Sequence, residues 1–259
     1  MVRGLYTAAA GALVAQSQAD AIANNLANVN TTGFKRTLLQ VESAPEIGIY
    51  RFQIDPGSAS HKGVAVAPYV GALGTGSQIY DTPTVFSQGP LQQTGNPLDL
   101  AIEGSGFFTI QTPQGVRYTR NGQFVRNAQG LLSTTNGNLV LGTNRGPIAV
   151  PNGPFQIAAD GTIAQNGQTL GQLQLTQFGN LVALRPEGDS RFVDTGTARP
   201  STATNATVQQ GFLEGSNANV IRSMVDLISA QRWFEANEKV IYTQDATTGL
   251  SITGVGQAK

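Results

Sequence analysis

Apolar residues recur every seven positions at both ends of this chain: Leu5, Ala12, Ala19 and Leu26 near its start, then Leu213, Val220, Leu227, Phe234 and Ile241 near its end. A repeat of seven keeps one stripe of an α-helix facing a partner, so each ladder predicts a helical seam. The first has a companion stripe three residues on, at Ala8, Ala15, Ile22 and Val29. The companion of the second reads Met224, Gln231 and Glu238, and as it turns polar one edge of that helix is expected to meet water or a polar partner.

The first helix is expected over 4–28, stopping in Asn28-Val29-Asn30-Thr31-Thr32-Gly33, where Asn and Gly tolerate the left-handed conformation that ends helices. The last is expected from a cap at Ser216 to about Thr247. Charge separates them. Asp20 is the only charge between Leu5 and Val29, whereas Arg222, Asp226, Arg232, Glu235, Glu238, Lys239 and Asp245 give the last helix a polar face. A helix without a charged face is expected to be enclosed on several sides.

Between the ladders the pattern changes. Residues 34–77 carry apolar alternation and then a small-residue stretch, Gly57-Ser58-Ala59-Ser60-His61-Lys62-Gly63, which predicts an extended connector. Residues 78–210 hold short strand-like runs: Leu98 to Ile102, Phe107 to Gln111, Val116 to Arg120, Leu139 to Leu141 and Leu173 to Phe178. Asn121-Gly122, Asn136-Gly137, Asp160-Gly161 and Asn166-Gly167 suit tight hairpin turns, because these residues accept positive φ. Parallel strands would need long helical crossovers, and the segment has no helical period, so an all-β antiparallel domain is expected. The fold class is α+β.

Composition excludes several functions. Sixteen basic and sixteen acidic residues give a formal net charge of zero, without the basic footprint of a nucleic-acid binder. Charged residues are 12% of the chain, about half the common share, which suits close packing through neutral hydrogen bonds and hence assembly. With no cysteine there is no disulfide, thiolate or Cys-based zinc chemistry. No run reaches the roughly 18–20 apolar residues of a membrane span, so no direct membrane insertion is expected. The small apolar start belongs to the heptad, and a cleaved signal peptide is not expected.

Catalytic patterns are missing too, and no catalytic, cofactor or metal residue is assigned. His61, the single histidine, has no neighbouring carboxylate cluster. Gly71-Ala72-Leu73-Gly74-Thr75-Gly76 lacks the lysine and spacing of a phosphate loop. Ser105, in Glu103-Gly104-Ser105-Gly106, lacks nucleophile-elbow spacing. Asp99, Glu103 and Asp160 leave a glycosidase-like pair open, though nothing selects one. Trp233, Phe234 and Tyr242 are expected to pack in a core or interface rather than form a binding platform.

Ala23-Asn24-Asn25-Leu26-Ala27-Asn28-Val29-Asn30-Thr31-Thr32-Gly33-Phe34-Lys35-Arg36 resembles the amino-terminal signature of the flagellar rod and hook family of bacterial axial proteins. The resemblance continues through Pro97 to Phe108, Tyr118-Thr119-Arg120-Asn121-Gly122, Leu213-Glu214-Gly215-Ser216-Asn217-Ala218-Asn219-Val220, Met224 to Ile228 and Gln231-Arg232. The chain is similar to the two longer rod types, proximal and distal, and the Pro-Leu-Asp-Leu and Leu-Glu-Gly-Ser-Asn runs favour the proximal. A surface structural protein outside flagella and a β-domain carbohydrate-active module are the alternatives.

The resemblance implies a non-enzymatic subunit of a helical tube that transmits torque. It further implies export through the flagellar type III apparatus, assembly in the periplasm, and neighbours that are copies of itself, other rod proteins and hook-side axial proteins. Paired terminal coiled-coil helices (1–33 and 211–259) would form the tube, with the connector (34–77) and β domain (78–210) outside. Assembly would rest on Leu5, Ala8, Ala12, Ala15, Ala19, Ile22, Asn24, Asn25, Leu26, Asn28, Gly33, Phe34, Leu213, Val220, Met224, Leu227, Phe234 and Ile241. Arg222, Glu235 and Lys239 are expected to face the channel, since a water-filled lumen tolerates charge where a packed wall does not.

Overall fold

The computed structural model describes residues 2–50 and 69–257. The His61 and Gly57–Gly63 expectations lie outside the described residues. The chain divides into two compact units. One comprises residues 1–21, 39–82 and 225–259, and the other 22–38 and 83–224.

The first unit contains most of two long helices, α1 (Val2–Ala27) and α2 (Val220–Gln257). It also holds four connector strands: β1 (Gln40–Ser43), β2 (Ile47–Tyr50), β3 (Tyr69–Leu73) and β4 (Ser77–Asp81). These form two antiparallel ribbons, β1 with β4 and β2 with β3, among the described residues of the connector region. Its exposed faces carry Val41, Ile47, Tyr50, Tyr69, Val70, Ile79 and Tyr80.

The helices meet antiparallel. A Cβ on Gly4 would overlap the Gln244 side-chain amide, and one on Gly11 would lie 2.8 Å from Oδ1 of Asn237. Seven residues forward on α1 thus match seven back on α2. On α2 the covered residues are Ser223, Leu227, Ala230, Phe234, Asn237, Ile241, Gln244, Thr248 and Ser251, alternating in steps of four and three. Leu227, Phe234 and Ile241 therefore lie on this covered face. Their companions are Ala230, Asn237 and Gln244, whereas Met224, Gln231 and Glu238 are exposed. Spacings of three and four both stay on one helix face, and only the side occupied by the partner decides between them.

Three further expectations about α2 are corrected. Leu213 lies in a strand, outside the helix, and the helix cap is Asn219 rather than Ser216: Oδ1 of Asn219 accepts from the Arg222 amide at 3.0 Å. The helix also runs well past Thr247. The hydroxyls of Thr247, Thr248 and Ser251 donate to carbonyls four residues back at 2.7–2.8 Å, which turns a run with poor helix propensity into one whose polar groups are satisfied locally.

The second unit is antiparallel β structure. Its strands are β5 (Leu91–Gln93), β6 (Leu100–Gly104), β7 (Phe107–Thr112), β8 (Gly115–Thr119), β9 (Phe124–Arg126), β10 (Leu132–Thr134), β11 (Leu139–Val140) and β12 (Gln156–Ile157). Then follow β13 (Thr162–Gln165), β14 (Gln168–Gln172), β15 (Leu175–Phe178), β16 (Leu184–Gly188), β17 (Arg191–Asp194), β18 (Pro200–Thr202), β19 (Ala206–Gln210) and β20 (Phe212–Glu214). A nine-stranded sheet runs β16-β17-β8-β7-β11-β10-β9, with β15 joining β7 to β18.

Strand β7 explains the sheet. It is buried on both faces, as a continuous Phe-Phe-Thr-Ile run requires. Phe108 and Ile110 enter the main core with Leu100, Ile102, Phe124, Leu132, Val140 and Ile163, and the Phe108 and Phe124 rings meet edge-on at 5.1 Å. Phe107 points the other way into a second cluster with Phe86, Phe178 and Phe192.

Asn166 and Gly167, both at positive φ, make the two-residue turn between β13 and β14. Asn136-Gly137 and Asp160-Gly161 close slightly longer hairpins, Gly137 and Gly161 donating back to Thr134 and Ala158 at 2.9 Å. Asn121-Gly122 turns no hairpin. There the chain crosses β6 so closely that a Cβ on Gly122 would overlap the Leu100 carbonyl oxygen. That approach, rather than turn conformation, requires glycine.

Candidate functional site

The most elaborately built polar cluster lies at the junction in the second unit where the segment after α1, the loop before β5, the end of β8 and the end of β20 converge. Glu214 is its centre. Its side chain is fully buried, as is that of Lys35, and their Oε1 and Nζ atoms lie 2.5 Å apart. Oε1 also accepts from the Gly89 amide at 2.8 Å, while Oε2 accepts from Arg120 at 3.1 Å. Arg120 donates further to the carbonyls of Ile102 and Gly104, and its guanidinium stands 5.2 Å from the centre of the Phe107 ring.

Burial pushes both cations below their ordinary pKa, and Glu214 opposes this by charge and hydrogen bonding. Two cations around one buried carboxylate can bind segments far apart in sequence into one arrangement, because losing any partner strands a charge away from water. The cluster acts as a structural lock.

Around it the signature residues are used for positioning. Gly33, at φ +66°, donates to the Glu214 carbonyl at 2.8 Å. Asn25 reads the backbone of Thr37 from both ends of its amide, at 2.8 and 2.9 Å. Asn28 bonds back to the Asn24 carbonyl and accepts from Thr31. The amides of Asn25 and Asn28 are therefore engaged inside the subunit, and Asn24 is the exposed member of the three. Asn217 accepts from the Arg36 amide at 2.8 Å and donates to the carbonyls of Val85 and Ser87.

The other expected assembly residues fall into classes. Ala8, Ala12 and Ala15 are buried; Leu5, Ala19, Ile22, Leu26, Phe34, Leu227, Phe234 and Ile241 are half-buried. Leu213 is half-buried in β20, and Val220 and Met224 are exposed at the start of α2. Arg222, Glu235 and Lys239 are all exposed. At about 100° per residue Glu235 and Lys239 are about 40° apart, but Arg222 is about 140° from Glu235, so the three do not share a face.

Sequence reasoning did not reach Lys35, Arg120 and Glu214. The available signal was three charges in a charge-poor chain, each inside a segment that carries the resemblance.

Nothing at the remaining candidate positions assembles chemistry. Asp99 is buried and holds Thr94 and Asn96, Glu103 bonds Gln209, and Asp160 caps its own turn through Thr162. The hydrogen bonds at Thr162 hold the Asp160 carboxyl below its usual range. Trp233 and Tyr242, nine residues apart, point to opposite sides of α2 and form no platform. Among the described residues there is no cluster of His, Asp and Glu suited to a metal, and no helix is long and apolar enough to cross a membrane.

Three family models match separate parts of the chain. Residues 5–35 match the family described as Flagella basal body rod protein, 101–170 the Flagellar hook protein FlgE/F/G D1 domain, and 209–250 the Flagellar basal body rod FlgEFG protein C-terminal. The chain is 35% identical over 261 residues to the flagellar basal-body rod protein FlgG of Agrobacterium fabrum, covering 96% of this chain and 98% of that one. It is 33% identical over 257 residues to the rod protein FlgF of Caulobacter vibrioides, covering 98% and 97%. It is also 30% identical over 275 residues to the flagellar hook-basal body complex protein FlhO of Bacillus subtilis, covering 99% and 100%. Matched along nearly its whole length, the chain belongs to the flagellar basal-body rod protein family, whose members are structural subunits and not enzymes.

Proposed function

We propose that this rod subunit polymerises through α1 and α2 into a helical tube that transmits torque and encloses an export channel. The helices pair as an antiparallel coiled coil in the tube wall, with residues 78–210 outside and 34–77 as the connector. Head-to-tail contacts with a rotation that does not close produce such a filament. Its neighbours are copies of itself, other rod proteins and hook-side axial proteins, and it reaches the periplasmic part of the basal body through the type III export apparatus.

The carrying observation is the apolar surface that the helices leave open in a single chain. Tyr6 and Leu13 on α1 are 67% and 65% exposed, and Ile221, Trp233, Tyr242 and Leu250 on α2 are 63–76% exposed. Such exposure of large apolar side chains on both helices fits burial by neighbouring subunits. The proximal type is favoured by the Pro-Leu-Asp-Leu and Leu-Glu-Gly-Ser-Asn runs together with the near full-length match to FlgF. The distal type is the second reading, favoured by the length of the chain and the Gly106-Phe107-Phe108 run.

Deleting the gene and imaging isolated basal bodies separates the two. A rod that stops before the segment crossing the peptidoglycan supports the proximal type, and one that stops after it supports the distal type. Basal bodies with complete rods would refute both.

A further inference from the structure

The anchors of residues 33–36 come disproportionately from one short segment at the other end of the chain. The Gly33 amide donates to the Glu214 carbonyl at 2.8 Å, and the Lys35 ammonium is neutralised by the Glu214 carboxylate. The Arg36 amide donates to the Asn217 side chain, and the Asn217 amide reaches the Phe34 carbonyl at 3.4 Å. Strand β20, which ends at Glu214, is itself held by β5, with Phe212, Leu213 and Glu214 opposite Gln93, Gln92 and Leu91. Gly215 continues the ladder by donating to Pro90 at 2.8 Å.

We infer that Glu214 and Asn217 are positioning residues for the segment after α1, so that residues 33–36, which residues 85 and 87 also hold through the Arg36 carbonyl and the Lys35 ammonium, are fully ordered only once residues 214–217 have docked. The physical ground is the asymmetry of buried polar groups. Without 214–217, Lys35 and Arg120 are cations with no anion in a closed site, and the Gly33 and Arg36 amides lose their acceptors. Opening the segment to water relieves all four deficits together.

The rest of the unit does not share this dependence. The core around Phe108, Phe124 and Ile163 is built from other strands. The segment in turn holds the end of α1, since Asn25 grips the backbone of Thr37. A chain whose residues 214–217 have not docked therefore keeps its β core but lacks these anchors of residues 33–36. This device follows from the geometry of one subunit and does not depend on the subtype of rod protein.

The test is hydrogen exchange measured on the full-length chain, comparing wild type with Glu214→Gln and Asn217→Ala. Both variants are expected to accelerate exchange in the peptides covering 33–38 by at least about tenfold, the size expected when one or two buried hydrogen bonds are lost. Peptides covering β7 and β8 should exchange at the wild-type rate. Asn217→Ala changes no charge, so it remains informative if Glu214→Gln fails to fold. Unchanged exchange at 33–38 in Asn217→Ala, or equal acceleration throughout the unit, would overturn the inference.

Discussion

Replacing Gly33 by valine tests how strictly the junction is built. Gly33 sits at φ +66°, and a Cβ there would overlap the Asn121 nitrogen and lie 2.5 Å from the Arg120 carbonyl carbon. The left-handed conformation costs a residue with a Cβ roughly 1–2 kcal/mol, and valine's branching makes it worse. Forcing the side chain against packed backbone adds roughly 1–3 kcal/mol, because the obstructing atoms cannot rotate away as a flexible side chain could. The sum is about 2–5 kcal/mol, a large part of the roughly 5–15 kcal/mol that holds a folded domain together.

Urea unfolding of the purified full-length chain, followed by far-UV circular dichroism, measures it. With a slope of about 2 kcal/mol per molar, the midpoint should fall by about 1–2.5 M. Gly33→Asn separates the two contributions: asparagine tolerates the positive φ but still carries the Cβ, so its midpoint should fall between those of wild type and Gly33→Val. In cells Gly33→Val should shorten or abolish the rod. A midpoint within about 0.3 M of wild type, accompanied by normal motility and rod length, would refute the reasoning.

Phe108→Ala should destabilise the β unit by about 3–5 kcal/mol, since a ring with no exposed surface and an edge-on partner leaves a cavity; a denaturant midpoint measures this. Burial, and then the charge of Asp194, raise the Tyr118 hydroxyl above its ordinary pKa, so the folded state keeps that proton longer than the unfolded state. Its contribution is complete below about pH 10 and lost as pH rises through the folded value; Tyr118→Phe should therefore flatten the alkaline limb of a stability–pH curve. In this cysteine-free chain the pair Gly11→Cys and Asn237→Cys should form an intrachain disulfide on oxidation, whereas Gly11→Cys with Gln244→Cys should not. Equal yields from the two pairs, read on a non-reducing gel, would show that the helices slide.

How much of this was legible in the sequence varied with the range of the interaction. The α1 ladder and the 227–234–241 stripe were legible because helical periodicity is local. The ladder failed at Leu213 because a repeat of seven continues arithmetically through Gly215 and Asn219 while the backbone does not. The polar companions Asn237 and Gln244 were missed because their partners are glycines: only the approach of α1 reveals that an amide fills the space a side chain would occupy. Asn121-Gly122 has hairpin composition, yet what fixes it is a strand far away in sequence. The Lys35–Glu214 pair spans 179 residues and the Arg120–Glu214 pair 94, so no local pattern joined them. At the junction, Asn25 and Asn28 were expected to supply neutral hydrogen bonds for assembly and Gly33 to permit the turn after the first helix; within the subunit Asn25 grips the Thr37 backbone, Asn28 bonds Asn24 and Thr31, and Gly33 takes φ +66°.

The outer face of α2 carries the assembly argument further than charge alone. Ile221, Val225, Ile228, Arg232, Glu235 and Lys239 all lie within about 60° of the direction opposite the seam, so one continuous face is apolar over its first turns and ionic from Arg232 to Lys239. No single environment suits both stretches. Ile221, Val225 and Ile228, at 76%, 57% and 50% exposed, call for an apolar neighbour, while the stretch from Arg232 to Lys239 suits water. Arg222, displaced to the flank, falls outside that ionic stretch. Ile228→Glu should therefore abolish polymerisation of the purified chain, because it buries a carboxylate between subunits, whereas Lys239→Ala should leave polymer yield unchanged. Sedimentation of polymer from each variant decides the matter, and equal loss in both would refute the division of the face.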